Sequence, residues 1–544
     1  MVNLLSCVLY ALLTMSFSNV TLARWRNRHI IRNTESGKVR GNLTWSGQSY
    51  VGIPYGKAER YSSSMSFGQW DGIRSAEQYG PQCYQPSFLC SLAPDSCNKE
   101  MSEDCLTLNI YTPRRAKYSP RRGSRQKKYA VLVWIHGGYY QAYTAGSPYY
   151  NGLKLASSAR MIVVTLNYRL GALGFLKVPD VQSTGNYGFY DQRLALQWVQ
   201  NNIHYFGGDP NRVTLGGESA GAHATLFHMM TPGSRSLFQQ AILMSTPGIE
   251  VPTTDVADRT VAGLLNGLGC DTSNDKLECL RNKTAEEIVT QSLLLPPTQN
   301  FLQGFQRFGV YIDGLEITES FYDNTDARNK FGDKPVIIGT SAYESLSLTY
   351  SRLTSPVPAP AYGAVVGQWR PAIVSETQNL YASSPRSNTD IRPEIAELLT
   401  DVIFTCPARL FADSISTDNK VWLYVFDQPN LDSYIQPLSC EDRACHVEDF
   451  PYFFRHPDLV PGKKDNFFYR LSNLIVGYFG NFVKYGNPNS LWRRPKWAEY
   501  QTNGFSGMRN LTLELQYPDP QIIANFRKAR CDYWDRVGYE KEST

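Results

Sequence analysis

A chain of 544 residues with 42% hydrophobic and 13% aromatic side chains is long enough for a large core and too apolar to remain disordered. Its net charge of +5 is local: Arg114, Arg115, Lys117, Arg121, Arg122, Arg125, Lys127 and Lys128 share one acid-free stretch, and these eight outweigh the whole surplus. That pattern excludes a broadly cationic protein, so no nucleic-acid partner is expected. The stretch Arg114–Lys128 reads either as a solvated loop or as a docking patch for an acidic polysaccharide or membrane surface.

Leu4 to Phe17 is an uncharged apolar run, and Thr21-Leu22-Ala23 offers small residues for cleavage before Arg24. Residues 1–23 therefore read as a signal peptide, with a buried first helix as the competing interpretation. No later segment has the roughly 20 continuous apolar residues of a membrane span. The polar end from Gly538 to Thr544 resembles neither a lipid-anchor tail nor a retention signal. A secreted, extracellular protein is expected. Apart from Cys7 in the leader, the cysteines are even in number, as an oxidised chain requires. Asn42, Asn282 and Asn510 head Asn-x-Ser/Thr sequons that could be glycosylated on that route. No linker or repeat divides residues 24–544, which read as one domain with long loops.

Short β-branched runs at Tyr129–Ile135, Met161–Leu166, Val213–Leu215, Gln240–Met244, Pro335–Ile338 and Val421–Phe426 predict strands of a mostly parallel sheet. Asp191–Asn201 carries its apolar residues on one helical face, and alternating strands and helices indicate an α/β fold with ligands at the strand ends. The run Arg212–Leu215 leads into Gly216-Gly217-Glu218-Ser219-Ala220-Gly221, followed by a predicted helix from Ala220 to Met230. A Gly-x-Ser-x-Gly sequence between strand and helix predicts a sharp turn. It would expose the Ser219 hydroxyl, with glycines where a Cβ would clash and helix N–H groups aimed at developing negative charge.

Around this turn the chain resembles the type-B carboxylesterase/cholinesterase family. The resemblance is carried by Glu103-Asp104-Cys105-Leu106-Thr107-Leu108-Asn109, Asn167-Tyr168-Arg169, Gly185-Asn186-Tyr187-Gly188, Phe206-Gly207-Gly208-Asp209-Pro210 and the elbow. It runs from about Tyr50 to Trp534 and implies an α/β-hydrolase fold with a serine, acid, histidine chain order. His446, in Cys445-His446-Val447-Glu448-Asp449-Phe450-Pro451, resembles the family's histidine, and Glu344, beyond the strand ending near Ile338, its acid. His456 reads as an exposed turn residue. A hydroxyl becomes a useful nucleophile only when a histidine takes its proton and a carboxylate supports the imidazolium. The expected activity is hydrolysis of a small carboxylic ester, with no metal or cofactor.

The family normally has a third glycine where this chain has Tyr139, in His136-Gly137-Gly138-Tyr139-Tyr140. By resemblance the oxyanion donors are the N–H groups of Gly138, Tyr139 and Ala220. Glu218 and Asp449 are expected to form a buried acidic surround for the histidine, and Phe305 and Phe308 to line an acyl pocket. The resemblance also pairs Cys83 with Cys105, Cys270 with Cys279, and Cys406 with Cys531, leaving Cys90 with Cys97 and Cys440 with Cys445. The first of these loops lacks the tryptophan that cholinesterases use for choline, which disfavours acetylcholine. A catalytically weak adhesion or binding protein of the same fold is the main alternative, although Ser219, Glu344 and His446 are all present. A lipase ranks below it for want of an apolar lid.

Overall fold

Side-chain alternation along the central strands decides the layering. In the strand Tyr129–Ile135, Val131, Val133 and Ile135 enter one core cluster while Leu132 and Trp134 enter the other. A strand apolar on both faces needs cover on both, as in α/β folds. Here Phe189, Ala195, Leu196 and Val199 of helix α1 (Tyr187–Asn202) cover one side. Further along the chain, Phe468, Leu471, Ile475, Phe479 and Phe482 of the helix Asn466–Tyr485 cover the other.

The structure, a computed structural model, describes residues 28–87, 100–116, 128–178, 185–248, 254–295, 307–320, 331–381, 389–429, 440, 442–460, 466–491, 495–501 and 510–539. The expected signal peptide, Cys90, Cys97, Phe305 and the basic residues between 117 and 127 lie outside the described residues.

Among the described residues the main sheet has 13 strands. In chain order they include β1 (Arg28–Asn33), β2 (Lys38–Leu43), β3 (Gly47–Pro54), β4 (Thr107–Pro113), β5 (Tyr129–Ile135) and β6 (Ile162–Leu166). There follow β7 (Gly208–Glu218), β8 (Gln240–Met244), β9 (Val336–Ser341), β10 (Val421–Phe426), β11 (Leu511–Leu515) and β12 (Gln521–Ala524). Their spatial order is β1-β2-β3-β4-β6-β5-β7-β8-β9-β10-β11-β12, with Ile73–Ser75 paired beside β2. From β6 to β11 every pairing is parallel. The β1–β4 end and the last strand are antiparallel.

The expected large, mostly parallel sheet in one domain is present. All six predicted strands occur, with β7 starting earlier, at Gly208, through an irregularity in its pairing with β5. The strands β1–β4, β11 and β12 were not predicted; in β3 the burial pattern breaks the simple period of two. The order β6-β5-β7 reverses direction at β5, a switch point that leaves a crevice at the strand ends. The loop after β5, the turn after β7 and the loop after β9 all open onto that edge.

Candidate active site

Ser219 is reached in one step from β7 to helix α2 (Ala220–Met230), with φ 55° and ψ −124°. No extended strand or helix uses that conformation, and a non-glycine residue adopts it only when its surroundings enforce it. The Ser219 N–H donates to Met244 O at 3.0 Å, and the His223 N–H donates to Ser219 O at 2.9 Å. Gly217 and Gly221 supply the room. A Cβ on Gly217 would lie 2.3 Å from the Gly221 carbonyl carbon, and one on Gly221 would lie 2.1 Å from Ile135 O. As the first residue of α2, Ala220 has an N–H with no acceptor inside the helix.

The loop that follows β5 presses on the elbow: a Cβ on Gly137 would meet Ser219 Cβ at 3.1 Å. Gly138, Tyr139 and Tyr140 all have positive φ, at 98°, 57° and 59°. The loop thus keeps a left-handed path although a tyrosine stands where the family resemblance expects glycine. The Gly138 carbonyl accepts from both Gln141 and Ala142 N–H at 2.9 Å, and the Tyr140 carbonyl from Gly171 N–H at 2.7 Å. His136, whose Nδ1 pairs with Gly137 O at 2.8 Å, stacks on Tyr168 beneath the turn. Burial holds its pKa down at about 4.

Glu344 follows β9 and is 1% exposed. Its Oε1 accepts the Ser341 N–H at 2.6 Å, and its Oε2 lies 2.5 Å from His446 Nδ1. The Glu344 loop is tied to the His446 loop, because Tyr343 N–H donates to Ala444 O at 2.9 Å. The Cys440–Cys445 disulfide braces that loop immediately before His446.

On the other side of the imidazole, His446 Nε2 lies 3.0 Å from Glu218 Oε1. The contact is close, yet Glu218 Oε1 has no aligned hydrogen-bond donor, so it is better described as an ion pair than as a hydrogen bond. Burial opposes charging the imidazole, but the Glu218 and Glu344 carboxylates outweigh it and raise its pKa well above the usual value. Burial in turn raises the Glu218 pKa. Asp449 is also buried and takes a hydrogen bond from the Tyr424 hydroxyl at 2.9 Å. Burial first, then the charge of Glu344, raises its pKa to about 7. The Ser219 hydroxyl makes no hydrogen bond with a described group. Such contacts commonly tighten only when substrate binds.

The structure therefore brings Ser219, Glu344, His446, Glu218 and the Gly137–Tyr140 loop to one strand edge, with Asp449 electrostatically coupled to the histidine. Phe308 is buried with Val310 and Tyr311 in the larger core cluster. His456 differs from expectation. It is only 9% exposed, because its Nε2 pairs with Asn151 O at 3.1 Å and a short turn at Pro457–Leu459 folds it inward.

Sequence reasoning missed two supports of the Glu344–His446 pair. Phe404, on a stretch of π-helix between α3 (Arg392–Thr400) and α4 (Cys406–Ile415), packs its ring 5.2 Å from that of His446. Arg527 donates to Ala342 O at 2.8 Å and pairs with buried Asp401 in the same π-helix, joining the acid loop to the C-terminal part of the chain. A π-helix often marks a functional position but has no sequence signature. Four of the five expected disulfides are present: Cys83–Cys105, Cys270–Cys279, Cys406–Cys531 and Cys440–Cys445. Among the described residues no group of side chains could hold a metal, and no helix is long and apolar enough to cross a membrane.

A serine on a left-handed elbow, a histidine–carboxylate pair beside it and a parallel sheet presenting both define an α/β-hydrolase. The chain belongs to the carboxylesterase family, whose sequence model matches residues 28–534. It is 30% identical to the crystal protein of Dictyostelium discoideum, over 98% of this chain and 96% of that protein. It is 31% identical to the acylcarnitine hydrolase of Mus musculus, over 93% and 91%. The solved structure of a thermophilic pNB esterase superposes with a TM-score of 0.77 at 28% identity, covering 93% of this chain and 99% of that one. Family membership carries carboxylic ester hydrolysis as the activity class.

Proposed function

We propose that the protein is a secreted serine esterase that works through an acyl-enzyme on Ser219. The observation that carries this is the Glu344–His446 contact of 2.5 Å beside a serine held at φ 55°. His446 takes the Ser219 proton as the hydroxyl attacks the ester carbonyl, and Glu344 holds the imidazole and stabilises its charged form. The N–H groups of Gly138, Tyr139 and Ala220 receive the oxyanion, where each donor is worth about 3–4 kcal/mol. The histidine then protonates the departing alcohol, and a water activated by the same histidine hydrolyses the acyl-enzyme and releases the acid. Glu218 and Asp449 make the surroundings acidic and favour the imidazolium of the transition state. Phe305 and Phe308 are offered as acyl-pocket walls.

Secretion rests on the 1–23 leader and is supported by the four disulfides, which persist in oxidising compartments. Asn282 is exposed and is the best placed of the three sequons to carry a glycan, whereas Asn42 and Asn510 are half-buried. The basic stretch Arg114–Lys128 is offered as a docking patch for an acidic polysaccharide or membrane surface. A binding role without catalysis is the second reading; Tyr139 in the oxyanion turn favours it. The secreted protein and Ser219→Ala are compared on p-nitrophenyl acetate and butyrate. Turnover by the parent alone is the expected result, and equal rates would return the protein to the binding class.

A further inference from the structure

A buried polar contact joins the loop after β5 to helix α2. The Tyr140 hydroxyl and His223 Nδ1 form a hydrogen-bonded pair 3.0 Å apart, and both residues are buried. In such a setting, removing either partner leaves the other unsatisfied. His223 is placed by the elbow. Its N–H donates to Ser219 O at 2.9 Å, one helical turn from the nucleophile, and its ring meets Phe227 edge-on at 5.0 Å. Tyr140 is placed by the loop. Its carbonyl accepts the Gly171 N–H at 2.7 Å, and its ring meets Phe175 of the short helix Gly171–Phe175 edge-on at 5.0 Å. Its backbone has φ 59°, a conformation that a tyrosine keeps only where its surroundings enforce it.

The turn is thereby pinned at both ends. At its start, Gly137 packs so closely that a Cβ would lie 2.7 Å from Glu218 Oε2 and 3.1 Å from Ser219 Cβ. At its end, Tyr140 reaches His223. Gly138 and Tyr139, at φ 98° and 57°, lie between the two pins. The main-chain bonds from Gln141 and Ala142 to Gly138 O shape this turn without reaching α2. The Tyr140–His223 pair does reach it.

We propose that Tyr140 and His223 are positioning residues, whose hydrogen bond holds the N–H groups of Gly138 and Tyr139 in register with Ser219 and the Ala220 N–H. The inference rests on the esterase reading and deepens it. N–H groups drawn from two elements receive one oxyanion only if those elements keep a fixed separation. Ser219 and Ala220 are consecutive and move together. The turn belongs to another element, and the hydrogen bond spans the two.

The test measures kcat and KM on p-nitrophenyl butyrate, with kcat expressed per serine titrated to completion by a fluorophosphonate, and Tm beside them. The proteins are the parent, Tyr140→Phe, His223→Leu, His223→Asn, the combined Tyr140→Phe and His223→Leu variant, and Ser219→Ala. A donor lost outright costs about 100–1,000-fold in kcat, so displaced donors in Tyr140→Phe and His223→Leu should cost about tenfold or more, with KM little changed. His223→Asn puts a side-chain amide near the place of Nδ1 and should keep most of the parent kcat. The combined variant should lose no more kcat than either single one, because the same bond is lost once. Its Tm should recover toward the parent, since neither partner is left unsatisfied, while its kcat stays low. An unchanged kcat in both single apolar variants would overturn the proposal and leave the esterase reading standing. So would a loss in His223→Asn equal to that in His223→Leu, a combined loss equal to the product of the single ones, or a kcat that recovers together with Tm. Turnover in none of the proteins above Ser219→Ala would overturn both readings.

Discussion

The two halves of the site are built by opposite means. On the Ser219 side the determinants are neighbours in sequence. Gly217, Ser219 and Gly221 lie within one turn, the strain is in the backbone, and glycines remove atoms that would collide. On the His446 side the parts come from across the chain: Glu344 lies 102 residues from the histidine, and Arg527 lies 185 residues from the Ala342 carbonyl it holds. The first half is specified by what cannot fit, the second by charges and long-range contacts that must all be present together. A nucleophile needs a fixed position; a base needs a fixed position and a suitable pKa. That second demand recruits the larger surround.

The largest expected effect breaks the long-range half. Glu344→Gln preserves shape but removes the charge that supports the imidazolium and fixes its tautomer. A fall in kcat of about 10⁴-fold is expected. It should be measured on p-nitrophenyl butyrate, with Tm as a control for folding. A loss below tenfold would mean that Glu218 or Asp449 supplies the function instead.

The disulfides sharpen the same contrast. Cys406–Cys531 spans 125 residues and Cys440–Cys445 only 5. Loop-closure entropy puts the long bridge at about 5 kcal/mol and the short one at about 2 kcal/mol. Paired Ser substitutions in Cys406 and Cys531 should therefore lower Tm more than those in Cys440 and Cys445. The short pair should cost relatively more in kcat, because its loop leads directly into His446. Denaturation curves and kcat for both double variants check the ranking, and a reversed order in either measurement would contradict it.

On the local half, Gly221→Ala places a methyl 2.1 Å from Ile135 O, against backbone that cannot move without separating β5 from the elbow. A displacement of about 1 Å at the nucleophile is enough for a loss of about 100-fold. Active-site titration with a serine-directed fluorophosphonate should show slower labelling as well as lower kcat. Unchanged labelling would show that the elbow tolerates a Cβ there.

This division also explains what could be read from the sequence. Gly217-Glu218-Ser219-Ala220-Gly221 is legible because its steric requirement lies within five consecutive letters. The central strands are legible because residues such as Val131 to Ile135 are apolar on both faces. Glu344 and His446 were identified by chain order and family resemblance, but nothing local to Glu344 announces that it is 1% exposed. Phe404 and Arg527 carry no signal, since each matters through a partner distant in the chain. His456 was misjudged for the same reason: its partner Asn151 is 305 positions away. Tyr139 was visible as a departure from the family pattern. Its left-handed backbone was not, because a tyrosine gives no local sign of positive φ and one of the bonds that hold the turn comes from Gly171, distant in the chain.

The smallest expected effect tests where the halves meet, at Glu218, which belongs to the elbow by sequence and to the base by contact. Its carboxylate lies 3.0 Å from His446 Nε2 and, with Glu344, holds the imidazole protonated to higher pH than usual. Protonated His446 cannot accept the Ser219 proton, so activity should rise with pH through that raised pKa, and its acid limb should lie above the ordinary histidine value of about 6.5. Removing one of the two charges lowers the imidazole pKa, so Glu218→Gln should move the acid limb of kcat/KM to lower pH. Relative to its own plateau, the variant should be several-fold more active than the parent at a pH of about 6. Asp449, with a pKa raised to about 7, titrates in the same range and faces the same cluster. Asp449→Asn, which keeps an oxygen acceptor for Tyr424, should be profiled alongside to separate the two groups. If the limb stays in place in Glu218→Gln but moves in Asp449→Asn, the controlling charge belongs to the histidine side alone, and the elbow contributes position without tuning the base.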